Sequence, residues 1–441
     1  MRRGRRIGVI AGLVFAGAFA FGPTTAGAKA AVVRAPAADL SSGQAIDRYL
    51  TSRGLDPAKA VHQRGGRNYA GPSCPGAGWT CTSSAGAVVV QQAAADGVNV
   101  FQCTASSGGS SDKSTDTCVV VQTASSSGAT NLASCVEEAS GAAPNPSCSI
   151  TQDNTGGANK ASVTQEWSQQ TGDAQTAAEN TTITQTNTTG LNRAQIRQMI
   201  GQVVKDAAGS QDQEATQFAC IQQDSASGPN QATINQQVTQ NEQSTAAAGL
   251  SQRQNQVAPS NQSCGNRTTT IEPNTAALVE QDQGNGGDSG QNQSSIAQTL
   301  HQKELSTTPT GAVTQTEGNG FDLGGLEGAL DQTSTGVATA SANQNENQLE
   351  DAETTGSLLQ EQDDPHRCCS NQSSNPNDQL TLTSVTVQSA DSGARQFFDD
   401  EGFCTSSGTC NVNVQITNNT NSISDTCTPG PCAVIDTNEG G

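Results

Sequence analysis

A short pattern that occurs three times in the middle of the chain constrains its fold more than any other feature. Each copy reads Ile-x-Gln, a turn that contains Gly, and then Asn-x-Ala-x-(Val/Ile)-x-Gln; the copies occupy residues 149–165, 182–198 and 220–236. Residues two apart in a strand face the same side, so each copy predicts two strands joined by a turn. Repetition at fixed offsets indicates stacked structural repeats.

The composition favours a thin, stacked β architecture. Aromatic residues make up 3% of the chain and charged residues 14%, whereas ordinary globular domains carry about 25% charged residues. Disorder is the alternative for so polar a chain, but disorder does not require Ile, Asn, Ala and Gln at fixed offsets. Gln and Asn suit stacking because each amide both donates and accepts hydrogen bonds.

The residues that share the inward face of the three copies are therefore predicted to form a structural ladder in the core. They are Ile150, Gln152, Asn159, Ala161, Val163, Gln165, Ile183, Gln185, Asn192, Ala194, Gln198, Ile221, Gln223, Asn230, Ala232, Ile234 and Gln236. The turn glycines Gly157, Gly190 and Gly228 are expected to adopt positive φ. The Asn two residues after each glycine is expected to bond local backbone as the second strand begins.

On these residues the chain resembles the curlin repeat of bacterial curli fibres. In that repeat, Ile-x-Gln, a Gly-rich turn and Asn-x-Ala-x-x-x-Gln make one strand–turn–strand rung, which Ile150, Gln152, Asn159, Ala161 and Gln165 match. The turn is longer here, the copies are further apart, and cysteines are foreign to the pattern. The resemblance implies an extracellular fibrous or surface role, with self-association.

The N-terminal sequence predicts export. Residues 1–6 are basic, residues 7–22 are apolar, and residues 26–28 are small, as in a secretory signal peptide cleaved after position 28. Nothing later approaches the roughly 18 apolar residues of a membrane helix, so no membrane span is expected. The formal net charge of −20 disfavours binding to nucleic acid.

The 14 cysteines of a secreted chain predict disulfides. Cys74 and Cys81 are expected to close a small loop. Folding a repeat into an arch would bring Cys118 close to Cys135, whereas pairing between rungs would join Cys103 to Cys135 or Cys118 to Cys148, and the sequence leaves these alternatives open. The disulfide candidates are Cys74, Cys81, Cys103, Cys118, Cys135, Cys148, Cys404, Cys410, Cys427 and Cys432.

Local patterns predict the flanking elements. Residues 40–53 form a helix with Ser41 or Ser42 as N-cap, Asp56 begins a further helical turn, and this helical piece is expected to cover one end of the repeats. Val88, Val90 and Gln92 are predicted to face inward in the first rung. Residues 197–207 fit a short helix, residues 318–328 and 351–364 resemble loops, and a further repeat unit is predicted at Val279, Gln281, Asn292, Ile296 and Gln298.

The domain organisation follows from these patterns. The segments are a signal peptide (residues 1–28), an N-terminal tail and short helical cap (29–68), cysteine-bearing first solenoid rungs (69–148), a Gln/Asn-rich repeat region (149–300), degenerate repeats and loops (301–378) and a C-terminal β module (379–441). The predicted fold is all-β: a stacked strand–turn–strand β-solenoid with a short N-terminal helical segment and a small disulfide-stapled C-terminal β module.

No catalytic, cofactor-binding or metal site is predicted. The three histidines, His62, His301 and His366, lie in dissimilar segments and are expected to be solvent-exposed. We expect a secreted, non-catalytic structural or adhesive protein of the cell surface or extracellular matrix, whose partners are further copies of itself, other surface proteins or a polysaccharide. The alternative is a monomeric extracellular binding module for carbohydrate or another extended surface.

Overall fold

A computed structural model describes residues 40 to 244 apart from positions 41, 53–54, 84–87, 109–116, 141–146, 171–173 and 206–210, and beyond residue 244 it describes strands alone. The predicted signal peptide lies outside the described residues. The helices are α1, Gly43–Ser52, and a 3₁₀ helix, Pro57–Lys59. Within the described part of the chain, no helix has the length and apolar character that a membrane crossing requires.

The strands are β1 Val61–Ala70, β2 Thr80–Thr82, β3 Val88–Gly108, β4 Thr117–Ala124, β5 Thr130–Ser140, β6 Ser147–Asn154, β7 Ala158–Gln169, β8 Ala174–Asn187, β9 Asn192–Lys205, β10 Gln211–Ser225, β11 Asn230–Ser244, β12 Gln252–Asn255, β13 Ser263–Cys264, β14 Arg267–Thr268, β15 Thr275–Gln283, β16 Asn292–Ser306, β17 Val313–Glu317, β18 Leu326–Thr333, β19 Ala338–Ala352, β20 Leu358–Asp364, β21 Ser370–Asn371, β22 Gln379–Ala390, β23 Arg395–Phe403, β24 Thr405–Ser406, β25 Thr409–Asn418, β26 Ile423–Thr428 and β27 Cys432–Asn438.

Two stacks of parallel strands face each other across a narrow core. Stack A holds the first arm of each repeat: the N-terminal halves of β1 and β3, then β4, β6, β8, β10, β15, β18, β21 and β24. Stack B holds the second arm: the C-terminal halves of β1 and β3, then β5, β7, β9, β11, β16, β19, β22, β25 and β27. The predicted all-β, stacked strand–turn–strand β-solenoid is confirmed.

Smaller groups of strands accompany the two stacks. β17, β20, β23 and β26 pair in parallel as a third stack, and β13 and β14 form an antiparallel pair. The prediction of loops at 318–328 and 351–364 is wrong in part, because β18 begins at Leu326 and β20 occupies Leu358–Asp364. In the predicted C-terminal β module, β22, β25 and β27 extend stack B in register.

Register is kept along both stacks at the repeated positions. Ile150 lies opposite Ile183 and Ile183 opposite Ile221 in stack A, and the same row continues to Val279. The side chains of Ile150, Ile183 and Ile221 are fully buried. Burying such a side chain contributes about 1.5–3 kcal/mol to folding. The further repeat unit predicted at Val279 is therefore in place.

The strand β9 replaces the helix predicted at residues 197–207, and that prediction is wrong for the described positions. Ile196 and Ile200 are four residues apart, a spacing that fits both a helix turn and one face of a strand. Gln198 and Gln202 lie between and after them in the same phase, and all four side chains are buried. Burial of every second side chain is typical of a strand and does not fit a helix.

The predicted register of the first rung is wrong by one residue. Val89 lies opposite Val120, and Gln91 opposite Gln122, so these residues face the core in place of the predicted Val88, Val90 and Gln92. The run of three valines and two glutamines at 88–92 carries suitable side chains on both faces, so its pattern alone does not fix the phase.

Helix α1 lies on the outer face of stack A, where it covers Val90. Ile46 and Leu50 are buried with Val90 and Val121 in one apolar cluster, and the Tyr49 hydroxyl forms a 2.7 Å hydrogen bond with Thr151 Oγ1. Ser42 Oγ accepts from the backbone N–H of Ala45, as expected of an N-cap. The prediction that this helix covers one end of the repeats is therefore corrected: it covers their side.

The short strand β2 covers the N-terminal edge of stack B instead. Its residues Thr80–Thr82 pair with the outer edge of β1, and the disulfide between Cys74 and Cys81 holds it there. Trp79 packs edge-on against Tyr69 with ring centroids 6.3 Å apart. A three-residue edge strand offers little of the unpaired backbone that promotes edge-to-edge association.

The turn glycines are required for close stacking rather than for positive φ. Positive φ occurs among the described glycines at Gly76 and Gly78 alone, so the prediction for Gly157, Gly190 and Gly228 is wrong. A Cβ on Gly190 would instead collide with the backbone of Gly157, and one on Gly228 with the backbone of Gly190. Successive turns therefore lie directly on one another, without room for a side chain.

We predict that Gly190→Ala lowers the free energy of unfolding by at least about 1–3 kcal/mol, because the added methyl group must displace backbone. Gly201→Ala is the matched control, since its Cβ would meet its nearest neighbour at an ordinary 3.6 Å. The control should stay within about 0.5 kcal/mol of the wild type. Chemical denaturation measures both, and equal effects of the two substitutions would contradict the stacked-turn geometry.

Candidate functional site: the amide ladders

A column of seven glutamines runs along stack A inside the core. After the first member, Gln63, each side-chain Nε2 donates to Oε1 of the glutamine one rung earlier at 2.7–2.8 Å. The same Nε2 also donates across the core to a backbone carbonyl, as Gln152 does to Lys160 and Gln185 to Arg193. The column comprises Gln63, Gln91, Gln122, Gln152, Gln185, Gln223 and Gln281.

A matching column of seven asparagines runs along stack B. Before the last member, Asn292, each Nδ2 donates to Oδ1 of the asparagine one rung later, at 2.8–3.1 Å. Its second N–H reaches a carbonyl of stack A, as from Asn159 to Thr186 and from Asn192 to Asp224. The column comprises Asn68, Asn99, Asn131, Asn159, Asn192, Asn230 and Asn292.

The two columns donate in opposite directions along the stack. The glutamines donate towards the N-terminal end and the asparagines towards the C-terminal end. The first asparagine, Asn68, therefore has no earlier rung to supply a donor, and its buried Oδ1 has no hydrogen-bond partner. The ladder thus reaches the N-terminal end of the stacks as an unsatisfied acceptor beneath β2.

Stack B carries further columns of glutamines, nearer the second turn, which connects each rung to the next. Gln236 donates to Gln198 and Gln198 to Gln165, both at 2.8 Å, and Gln165 donates to the buried carboxylate of Glu137 at 2.6 Å. Beyond it, Gln240 donates to Gln202 at 2.8 Å. All seventeen predicted ladder residues are buried, and the six at the Gln152 and Asn159 positions belong to the two long columns.

The local backbone bonds predicted for the asparagines are made by other residues. Asn154 Oδ1 accepts from the backbone N–H groups of Gly156 and Gly157, and Asn187 Oδ1 accepts from Gly190. The prediction that Asn159 and its equivalents perform this role is wrong, because their amides point into the core. A polar residue four positions after each repeat Ile was the signal that sequence reasoning missed.

Two disulfides join consecutive rungs across the core. Cys103 of stack B bonds Cys118 of stack A, and Cys135 bonds Cys148, with Cα–Cα distances of 6.2 and 6.6 Å. None of the pairings that the sequence left open is present. Those pairings join cysteines within one repeat or in stacked strands, whereas the observed disulfides close the second turn, which leads from one rung to the next.

The other cysteine predictions have different outcomes. The predicted pair Cys74–Cys81 is present. Cys220 is also disulfide-bonded, although it was not among the candidates. Cys404 lies outside the described residues, while Cys410, Cys427 and Cys432 lie in strands whose side chains are not described.

A second carboxyl group, that of Glu179, is buried in the core near Glu137. Burial raises the pKa of Glu179 well above its usual value; a 2.8 Å hydrogen bond from Gln217 Nε2 opposes this, and the negative charge of Glu137 adds to the increase. The indole Nε1 of Trp167, which is also buried, has no hydrogen-bond partner. The buried polar atoms that lack hydrogen-bond partners are concentrated in this part of the core, where they lower the stability of the fold.

The residues that sequence analysis considered for chemistry are not brought together. His62 is exposed on β1, His301 lies in β16 with an undescribed side chain, and His366 lies outside the described residues. Among the described residues, no three His, Cys, Asp or Glu side chains converge as a metal site would require. The polar core is organised as columns, one amide above another.

No protein-family model, curated protein or solved structure matches this chain. A proposal for the function of this protein therefore depends on the geometry of the stacks and on the sequence patterns described above.

We predict that Glu179→Gln makes the protein more stable above about pH 4.5. The unfolded chain ionises near the ordinary value of 4.5, but the native state resists ionisation because its pKa is raised. Below that pH the Glu179 carboxyl is protonated in both the native and the unfolded state, so the wild type and Glu179→Gln should be equally stable. Each pH unit between the unfolded and folded pKa costs the wild type about 1.4 kcal/mol.

Thermal unfolding across a pH series measures this difference, with Glu138→Gln as the control because Glu138 is exposed on the same strand as Glu137. Identical pH dependence in the wild type and Glu179→Gln would contradict the burial of an uncharged carboxyl.

Proposed function

We propose that this protein is a secreted, non-catalytic structural or adhesive component of the cell surface or extracellular matrix. The observation that carries the proposal is the pair of continuous amide columns, in which the buried polar residues bond one rung to the next. An enzyme active site usually has several polar groups that converge on one cavity. Here the buried amides instead form hydrogen bonds with one another and with the backbone, which hold the stacks together.

Two further features support an extracellular role. Disulfides persist in oxidising compartments, and the early rungs are joined by Cys103–Cys118 and Cys135–Cys148. The basic and apolar residues at 1–22 have the pattern of an export signal. The partial resemblance to curlin repeats agrees with a surface location.

The covered N-terminal edge of stack B supports a unit of fixed length rather than an open-ended fibre. β2 occupies the outer edge of β1, and the adjacent Trp79 and Cys74–Cys81 disulfide hold it in place. Eleven strands in stack B, from β1 to β27, span roughly 50 Å at the usual strand spacing. We infer that the protein acts as a stiff spacer that presents its outer faces.

Export is the direct test of this function. The full chain with a C-terminal tag, expressed in a secreting bacterial host, should be recovered outside the cytoplasm and should begin at Lys29. A variant without residues 1–28 is the control and should stay inside. Accumulation of the full chain in the cytoplasm with its first residues intact would contradict the proposal.

The solution state tests fixed length separately. Purified exported protein should sediment as a monomer at high concentration. Open-ended, thioflavin-binding assemblies would contradict fixed length and favour a fibre-forming role.

The second candidate, an extracellular binding module, is favoured by one observation. Helix α1 covers the outer face of stack A over its first rungs, whereas the outer face of stack B carries an open groove lined by Lys160 and Arg193.

A further inference from the structure

The outer face of stack B presents regular rows of side chains, because alternate residues of each strand point away from the core. One row follows the residue after each ladder asparagine: Tyr69, Val100, Leu132, Lys160, Arg193, Gln231 and Gln293. The neighbouring row follows two residues later: Gln102, Ser134, Ser162, Gln195, Thr233 and Ser295. Both rows run along the stack, perpendicular to its strands.

A groove lies between these two rows. Its first part encloses about 450 Å³ between Val100 and Gln195, and a second part of about 340 Å³ continues from Arg193 to Ser295. The N-terminal end is closed where the Tyr69 hydroxyl donates to Gln102 Oε1 at 2.8 Å. The groove therefore suits an extended chain that lies along the stack.

Two unpaired cations are stacked in one wall of the groove. Lys160 lies directly opposite Arg193 on the next strand, about 4.8 Å away in the backbone. Like charges at such positions destabilise a sheet, and among the residues that the structure describes neither has an ion-pair partner. Arg197, four residues further along the same strand and on the same face as Arg193, is instead paired with Glu166 at 3.8 Å.

The position of these cations is unusual in so acidic a chain. The formal net charge is −20, yet from β3 onward the cationic side chains that the structure describes are Lys160, Arg193 and Arg197, all on this one face. A stacked pair that costs stability in the free protein is compensated when an anion lies between the two charges.

The remaining groups in the groove define the kind of anion. The backbone of this face is already paired within the sheet, so a peptide cannot add a strand there. The opposite wall offers hydroxyls and amides at Ser134, Ser162 and Gln195, which suit a hydroxyl-rich chain. Val100 and Leu132 offer apolar surface for the C–H face of a sugar ring, a feature that a ring-free polyphosphate lacks.

We propose that this groove binds an extended acidic polysaccharide, whose ring carboxylates lie on Lys160 and Arg193 and whose hydroxyls meet the Ser and Gln row. The inference rests on the proposed adhesive role and names its ligand class. Because the contacts are charge-assisted and partly exposed, binding should weaken as ionic strength rises.

The test is binding of the purified full chain to immobilised polygalacturonate, with neutral dextran and poly(glycerol phosphate) as comparison polymers. Lys160→Gln combined with Arg193→Gln should weaken polygalacturonate binding at least about tenfold, because two charge-assisted contacts are lost. The matched control is Arg48→Gln with Lys59→Gln, which changes the net charge equally at exposed positions outside stack B. It should bind within about twofold of the wild type.

Several outcomes would overturn the proposal. These are binding to dextran as strong as to polygalacturonate, preference for poly(glycerol phosphate), or equal losses in the two double variants. Binding in vitro is independent of export. A chain that is exported but does not bind therefore overturns this inference alone, whereas a chain that binds but stays in the cytoplasm overturns the proposed function alone.

Discussion

The structure depends on the hydrogen bonding of amides buried between two stacks of strands, which is complete for the glutamines inside the long column. A primary amide has two N–H groups and one oxygen, and a dry core penalises each one left unpaired by about 1–3 kcal/mol. Gln185 shows the solution: one N–H goes to Gln152, the other crosses to the carbonyl of Arg193, and its oxygen accepts from Gln223. The ladders therefore fix the register of the rungs and hold the two stacks opposite each other.

This arrangement explains why repeats of unequal length can stack. Consecutive ladder glutamines from Gln152 to Gln281 are separated by 33, 38 and 58 residues, yet each bond stays at 2.7 Å. Extra residues lie outside the ladder positions and leave the register unchanged. Where successive turns do touch, at Gly157 and Gly190, a side chain has no room. The core tolerates insertion between rungs but not bulk at these contacts.

The sequence predicts the structure correctly where the spacing of buried side chains fits only one kind of secondary structure. It is insufficient where the same spacing fits both a helix and a strand. Ile150, Gln152 and Asn159 could be placed because their alternation has no competing pattern. The four-residue spacing of Ile196 and Ile200 fitted a helix equally well, and the pairing of Cys103 with Cys118 required the path of the second turn, which no local pattern encodes. The groove of stack B could not be anticipated, because Lys160 and Arg193 become neighbours only through the register of β7 and β9.

Protection of side-chain amides from solvent exchange tests the central claim most directly. In ¹⁵N NMR spectra, the side-chain NH₂ protons of Gln152, Gln185 and Asn192 should exchange slowly, with contacts between consecutive members of each column. Those of Gln195, exposed on the outer face of the same strand as Asn192, should exchange at the rate of a free amide. Equally fast exchange at both kinds of position would contradict the amide ladders as the basis of the fold.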